Sequence, residues 1–115
     1  MELLTQPNEC RCASMEETHV LPLDPACPVS GNPQAGSSIS IIYTPASLLL
    51  EVESLRAYVD SYTGGRGDIR SMEGMIQGIT QDAANILGVA VEVRADLNIR
   101  PNQKMMLKCI SSSND

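Results

Sequence analysis

The stretch SMEGMIQGITQDAANIL, residues 71–87, carries the strongest helix signal in the chain. Its apolar side chains recur at spacings of three and four residues, which is one face of an α-helix. The members of this stripe are Met72, Met75, Ile76, Ile79, Ala83, Ile86 and Leu87. Asp68 or Ser71 is predicted to cap the first turn, and Gly88 suits the position just after the end. The two internal glycines weaken the helix by about 1 kcal/mol each unless another element packs closely against them.

The segment after this helix predicts a β-hairpin. Apolar and polar side chains alternate in residues 89–99, which is typical of a half-buried strand. The side chains that share one face are Val89, Val91, Val93 and Ala95. Pro101 and Asn102 predict a turn, and residues 103–110 are expected to pair back as the last strand.

The segment before the helix predicts a second hairpin and a shorter helix. Residues 37–44 alternate and residues 47–53 are rich in apolar side chains, so two paired strands are expected. In residues 54–62 the period changes to that of a helix. The side chains on its apolar face are Leu55, Tyr58, Val59 and Tyr62. The glycine-rich residues 63–67 end this helix.

The predicted order is therefore strand, strand, helix, helix, strand, strand. This order indicates an α+β domain over residues 27–110, with an antiparallel sheet and both helices on one face. Residues 1–26 are predicted to be irregular, because three prolines interrupt regular structure. The polar residues 111–115 are predicted to be a disordered tail.

Composition narrows the class of protein. A chain of 115 residues has room for one domain, and its core lacks Trp and Phe, so assembly into a homo-oligomer is expected to add burial. The net charge of -6 argues against the basic surface that nucleic-acid binding requires, and it favours a small-molecule or protein partner. No segment resembles a signal peptide or a membrane span, so we expect a cytoplasmic protein with reduced thiols and no membrane partner.

Cys27 differs from the other cysteines in its setting, the loop CPVSGNPQ of residues 27–34. Free cysteines are most often small buried hydrophobes, but a loop cysteine between prolines is pre-organised and favours a nucleophile. Cys10, Cys12 and Cys109 lack this setting. The spacing of the four cysteines matches no zinc motif, so no metal site is predicted.

Several blocks together resemble the QueF family, the 7-cyano-7-deazaguanine (preQ0) reductases, and their QueF-like relatives. The blocks are CPVSGNP, the strand SISIIYTP, the segment LEVESLRAYVDSY, a glycine-rich loop and MEGM, which together span residues 26–110. The resemblance implies a tunnelling fold, whose subunits join their sheets into an oligomeric barrel and bind substrate between neighbours.

The resemblance also implies a chemistry. The family's cysteine attacks the nitrile carbon of preQ0 and forms a covalent thioimide, and Cys27 is the matching residue. A family glutamate grips the edge of the deazaguanine base, and Glu73 occupies its place, with Met72 where the family has histidine. Glu51 falls on another family glutamate, at the start of the cofactor-linked segment, and is a second candidate for substrate binding.

One departure from the family concerns the proton. The family has an aspartate seven residues after the cysteine, and this sequence has Gln34. Glutamine can donate a hydrogen bond but cannot act as a general acid. The nitrile nitrogen would then take its proton from elsewhere, and Asp24, Asp60 and Asp68 are the candidates.

A second departure concerns the cofactor. Glu53 replaces a family lysine near the expected NADPH site, where a carboxylate repels phosphates, while Arg56 and Arg66 remain as candidate cofactor-binding residues. Reduction of preQ0 by NADPH to 7-aminomethyl-7-deazaguanine (preQ1) leads as the commoner family activity. The QueF-like amidinotransferase reaction, which adds ammonia to preQ0 in tRNA, needs no NADPH but needs a nucleic-acid surface. A non-catalytic deazapurine- or pterin-binding module is the third alternative.

Overall fold

The computed structural model describes residues 2–10, 14–25, 30–67, 69 and 71–112. Strands and helices follow one another along these residues. In chain order they are β1 Thr5–Pro7, β2 Glu17–Pro22, β3 Gln34–Tyr43, β4 Leu48–Leu50, α1 Val52–Asp60, α2 Met72–Leu87, β5 Val91–Arg100 and β6 Gln103–Ile110.

A four-stranded antiparallel sheet in the order β2-β3-β5-β6 forms the body of the molecule. One face of this sheet is apolar because alternate residues point the same way, and Ile39, Ile41, Val93 and Leu97 are fully buried there. Helix α2 packs against β5 and β6, and buried residues of both helices belong to the same core. The predicted α+β class, the antiparallel sheet, the helices on one face and the last hairpin are confirmed.

The ends of α2 follow from two small residues. The hydroxyl of Ser71 accepts a hydrogen bond from the backbone N–H of Gly74 at 3.0 Å, which caps the first turn. Gly88 adopts the left-handed conformation at φ 71°, and its N–H donates to the carbonyl of Ala84. Both predicted ends are confirmed, and the alternative cap Asp68 lies outside the described residues. Neither helix in the described ranges is long and apolar enough to span a membrane.

The predicted hairpin between residues 37–44 and 47–53 is wrong. Strand β3 pairs with β2 and β5, whereas the short strand β4 pairs with β1. Helix α1 begins at Val52, two residues earlier than the apolar period suggested, because the carboxylate of Glu51 caps its first turn. A run of apolar residues indicates burial but does not identify the pairing partner.

The prediction that residues 1–26 are irregular is also wrong, because β1 and β2 lie there. Pro7 ends β1 and Pro22 ends β2. Strand β2 is an edge of the main sheet, where a proline costs no ladder hydrogen bond on its outer side. Of the predicted tail, residues 113–115 lie outside the described ranges.

Candidate functional site

Cys27, the predicted nucleophile, lies outside the described residues, and its role stays a prediction. The described residues on either side of it make specific contacts. The carbonyl of Pro25 accepts a hydrogen bond from the N–H of Gly64 at 3.0 Å, in the turn after α1. On the other side, Pro33 is fully buried and Gln34 begins β3. The described residues that flank Cys27 therefore lie beside the turn after α1 and at the start of β3.

Gln34 is exposed, and its side-chain amide is held by the loop that precedes it. Its Nε2 donates to Asn32 Oδ1 at 3.0 Å and to the carbonyl of Gly31 at 3.2 Å. These two contacts orient the amide along the loop. Because an amide carries no titratable proton at neutral pH, this side chain can only donate or accept hydrogen bonds.

An irregular step in the pairing of β3 with β5 follows directly after Gln34. Gln34 pairs with Asn98 and Ser38 pairs with Asp96, so β3 carries extra residues here. The hydroxyl of Ser37 bridges the gap, because it donates to the carbonyl of Gln34 at 2.7 Å and accepts from the N–H of Asn98 at 2.8 Å. This step fixes the position of Gln34 relative to β5.

The backbone next to this step requires glycine. Gly36 has a φ of 90°, and a Cβ there would lie 2.7 Å from Nδ2 of Asn98. The same Nδ2 donates to the carbonyl of Ala35 at 3.0 Å. The side chain of Asn98 is therefore locked against β3, beside Gln34.

Glu73 is exposed in the first turn of α2. Its carboxylate makes no hydrogen bond or ion pair with any residue in the described ranges. This carboxylate is available to accept N–H groups of a ligand, although its predicted role as a base anchor stays a prediction.

Glu51 is in a different situation, because its carboxylate is the cap of α1. It accepts from the N–H of Glu53 at 3.0 Å and from the N–H of Ser54 at 2.6 Å. These backbone hydrogen bonds, the one from Ser54 above all, hold the pKa of Glu51 below its ordinary value. The described geometry gives Glu51 a structural function, and its role in substrate binding stays a prediction.

The two candidate cofactor residues make contacts within the protein. Nε of Arg56 lies 3.1 Å from Asp60, one helical turn along α1. The guanidinium of Arg66 lies 5.0 Å from the ring centres of both Tyr58 and Tyr62, within cation–π range. Both cations are thus engaged with α1 and the turn that follows it, and their roles toward a cofactor stay predictions.

The same two tyrosines form a polar cluster with α2 that the sequence pattern did not reveal. Tyr58 donates to the carboxylate of Asp82, and the Tyr62 hydroxyl lies 3.2 Å from that of Tyr58. Burial raises the pKa of Tyr58, and the hydrogen bonds to Asp82 and Tyr62 raise it further, so it stays a neutral donor. The partners are separated by 24 residues in sequence, so no local pattern could pair them.

A second unpredicted cluster joins β2 to β3. His19 Nε2 lies 2.5 Å from Glu17 Oε1, and the hydroxyl of Tyr43 donates to the same oxygen at 2.8 Å. The Tyr43 hydroxyl also accepts from the N–H of Leu50 at 2.9 Å, which ties β4 to the sheet. Alternation in residues 17–21 was the available signal, since Glu17, His19 and Leu21 fall on one side.

The fold that these elements define is the tunnelling fold, as predicted. It matches the crystal structure of the archaeosine synthase QueF-Like in its apo form, with a TM-score of 0.65. The match covers 89% of this chain and 96% of that chain at 16% sequence identity, and it establishes the shared fold. No protein-family model and no curated protein matches the sequence.

Proposed function

We propose that this protein processes the nitrile of preQ0 through a covalent thioimide on Cys27. The observation that carries the proposal is the fold, which this chain shares with an archaeosine synthase over 89% of its length. The blocks CPVSGNP and MEG, which resemble the QueF family, belong to a chain of that fold. Together they supply a nucleophile and a base-gripping carboxylate for one substrate.

The proposed first step uses only groups of this chain and the substrate. The thiol of Cys27 adds as its thiolate to the electrophilic nitrile carbon. A C–S bond forms, one π bond of the nitrile breaks, and the proton that the thiol released ends on the nitrile nitrogen. The exposed carboxylate of Glu73 accepts N–H groups from the edge of the base and holds it in place. The thioimide carbon then remains electrophilic toward a second nucleophile.

We favour ammonia as that second nucleophile. Ammonia adds to the thioimide carbon, the C–S bond breaks, and a proton from the adding nitrogen returns to the departing thiolate. The product is an amidine, and no electrons are transferred. Reduction to preQ1 would instead require two hydrides from NADPH.

The described start of α1 supports this choice. It carries the carboxylates of Glu51 and Glu53, and the cation Arg56 is paired with Asp60. The two carboxylates repel the phosphates of NADPH, and the cation is already paired with an acidic residue. Addition of ammonia needs no such contact.

Gln34 favours a second candidate function, a deazapurine-binding module without turnover. The side-chain amide is directed at Asn32 and Gly31 and cannot deliver a proton to the nitrile nitrogen. Such a module would bind preQ0 through Glu73 and leave the nitrile intact. The presence or absence of a covalent product separates the two functions.

We also expect a homo-oligomer. Strands β2 and β6 are the edges of the main sheet, and exposed apolar side chains lie along them: Val20, Met106 and Ile110. Pairing of β6 of one copy with β2 of the next would cover both edges. A monomer mass in light scattering at the concentration of the assays would contradict this expectation.

The intact mass of the protein after incubation with preQ0 alone tests the proposed function. We expect a mass increase equal to one preQ0, which is absent in Cys27→Ala. Ammonia and NADPH are then added separately to the adduct, and release of an amidine or of preQ1 identifies the second step. A folded protein that binds preQ0 without any mass increase would contradict the proposal and favour the module.

A further inference from the structure

One row of polar side chains crosses three strands at the end of the sheet nearest the β5–β6 turn. Gln34 of β3 pairs with Asn98 of β5, and Asn98 pairs with Lys104 of β6. Directly paired residues in an antiparallel sheet point to the same face and lie roughly 5 Å apart. The three side chains therefore stand side by side on the face of the sheet that the helices leave open.

A groove of ≈ 590 Å³ lies over this row, and its lining includes Gln34, Asn98, Arg100 and Lys104. Among the residues that the structure describes, no Asp or Glu is part of that lining. This absence is informative because acidic residues outnumber basic ones by 14 to 8 in the whole chain. Two other grooves on the same face are lined partly by carboxylates, Asp96 in one and Glu16 with Glu92 in the other.

The two cations of the groove differ in their ion pairing. The ammonium of Lys104 lies 2.9 Å from Asp96, which offsets part of its charge. Arg100 makes no ion pair with any residue of the described ranges. Its guanidinium presents a planar set of donors that fits the oxygens of a phosphate.

We propose that this groove binds a phosphate group of a nucleotide-type ligand, with Arg100 and Lys104 as the charged contacts. The side-chain amide of Asn98 is held by its hydrogen bond to the carbonyl of Ala35 and lines the groove between β3 and β6. The groove lies next to the substrate only if the proposed function holds, because that function places Gln34 beside the nitrile. Free preQ0 carries no phosphate, so the phosphate belongs either to a nucleic-acid strand that contains the base or to a dinucleotide cofactor.

The test measures binding of two probes to the full chain. One is a short, fluorescein-labelled single-stranded RNA, followed by anisotropy, and the other is NADPH, followed by its own fluorescence. The variant carries Arg100→Gln and Lys104→Gln together. The matched control carries Arg94→Gln and Lys108→Gln, which removes the same two charges from a directly paired position on the same strands.

We expect the Arg100/Lys104 variant to bind at least one probe roughly 100-fold more weakly, since it loses two charge-assisted contacts and each is worth about 1.5 kcal/mol or more. For RNA, the slope of log K against log salt should fall by about 1.4, the value for two lost single-strand phosphate contacts. The Arg94/Lys108 control should retain most of the affinity and the slope. Loss confined to RNA would indicate a nucleic-acid substrate, and loss confined to NADPH would indicate a cofactor.

Two results would overturn the inference. One is that the wild-type protein binds neither probe at low salt, and the other is that both double variants weaken binding equally while their melting curves stay unchanged. The covalent adduct with free preQ0 requires no phosphate. An adduct without phosphate binding would therefore refute the groove alone, and phosphate binding without an adduct would refute the proposed chemistry alone.

Discussion

The two helices begin in different ways, and the difference decides which glutamate is available to a ligand. At the start of α1, the carboxylate of Glu51 accepts the backbone N–H groups two and three residues further on, at 3.0 and 2.6 Å. At the start of α2, the hydroxyl of Ser71 takes the capping role, at 3.0 Å from Gly74 N. The carboxylate of Glu73 is therefore exposed and unbonded within the described residues. When a hydroxyl caps the helix, the neighbouring carboxylate is available to a ligand. When a carboxylate is the cap, its oxygens are already bonded to backbone N–H groups.

The largest effect that this comparison predicts is on substrate affinity. Glu73→Gln should weaken binding of preQ0 about 100-fold, because an amide replaces an acceptor of two charge-assisted hydrogen bonds worth about 1.5 kcal/mol each. The melting temperature should change little, since the carboxylate makes no hydrogen bond or ion pair within the described chain. Isothermal titration calorimetry with preQ0 measures the first quantity, and a thermal melt measures the second.

Glu53→Gln is the matched control, because Glu53 is an exposed glutamate in the first turn of the other helix. It should leave the affinity for preQ0 within about twofold, since Glu53 is not predicted to contact the substrate and a solvent-exposed charge without a direct contact contributes little. Equal loss in both variants would mean that the helix starts contribute only general charge, and the comparison would fail.

The next effect concerns the contact between the two helices. A Cβ on Gly78 of α2 would lie 2.9 Å from the hydroxyl of Tyr62, just beyond α1. Tyr62 is buried and cannot yield freely, so overpacking of about 2 to 3 kcal/mol should exceed the helix-propensity gain of about 1 kcal/mol. We expect Gly78→Ala to lower the free energy of unfolding by about 1 to 2 kcal/mol in urea denaturation.

The control for Gly78→Ala is a double-mutant cycle with Tyr62→Phe, which removes the clashing hydroxyl. In that background Gly78→Ala should become neutral or stabilising. If the cost of Gly78→Ala persists without the hydroxyl, the close approach of the helices is not its cause.

Capping of α2 gives a smaller effect. Ser71→Ala should lower the free energy of unfolding by roughly 1 kcal/mol, because the N–H of Gly74 loses its acceptor. It should also weaken preQ0 binding modestly, since fraying of the first turn displaces Glu73. Ser71→Asp, which restores an acceptor, should recover both quantities in the same denaturation and calorimetry measurements. Recovery of stability without recovery of affinity would separate the cap from the position of Glu73.

Helix α2 could be predicted from sequence because its determinants are local. The apolar stripe, the cap at Ser71 and the end at Gly88 all lie within or next to the helix itself. The β5–β6 hairpin was predictable for the same reason, since its strands flank a turn of Pro101 and Asn102. Short-range periodicity and turn chemistry determine such elements with little help from the rest of the chain.

The small sheet and the polar clusters could not be predicted, because they depend on partners distant in sequence. Strand β4 pairs with β1, where Thr5 lies opposite Leu50, and neither strand has a period of its own over three residues. The hydrogen bond from Tyr43 to Glu17 spans 26 residues. Burial explains why these hydroxyls need partners, but only the fold determines which partners they find.

For the candidate site, the family resemblance predicted which residues take part, and the structure shows how the surroundings of two of them differ. Glu51 and Glu73 were predicted together as substrate-binding residues. Only their hydrogen bonds separate them, because a capping carboxylate and a free one look alike in sequence. Cys27 lies outside the described residues, so its part of the site rests on the motif.

The smallest effect is a pH-dependent one at the start of α1. The pKa of Glu51 lies below its ordinary value of about 4.5 because the folded helix donates N–H groups to the ionised carboxylate. A lowered folded-state pKa stabilises the fold above the ordinary value, and this contribution is lost as the pH falls through the folded-state pKa. The melting temperature of Glu51→Gln should therefore lie below that of the wild type at neutral pH, and the gap should close in acid below pH 4.5. A gap that is independent of pH would mean that the glutamate acts through shape rather than charge. If Glu51→Gln also weakens preQ0 binding as strongly as Glu73→Gln does, Glu51 contacts the ligand while it caps the helix, and the proposed division between the two helix starts is wrong.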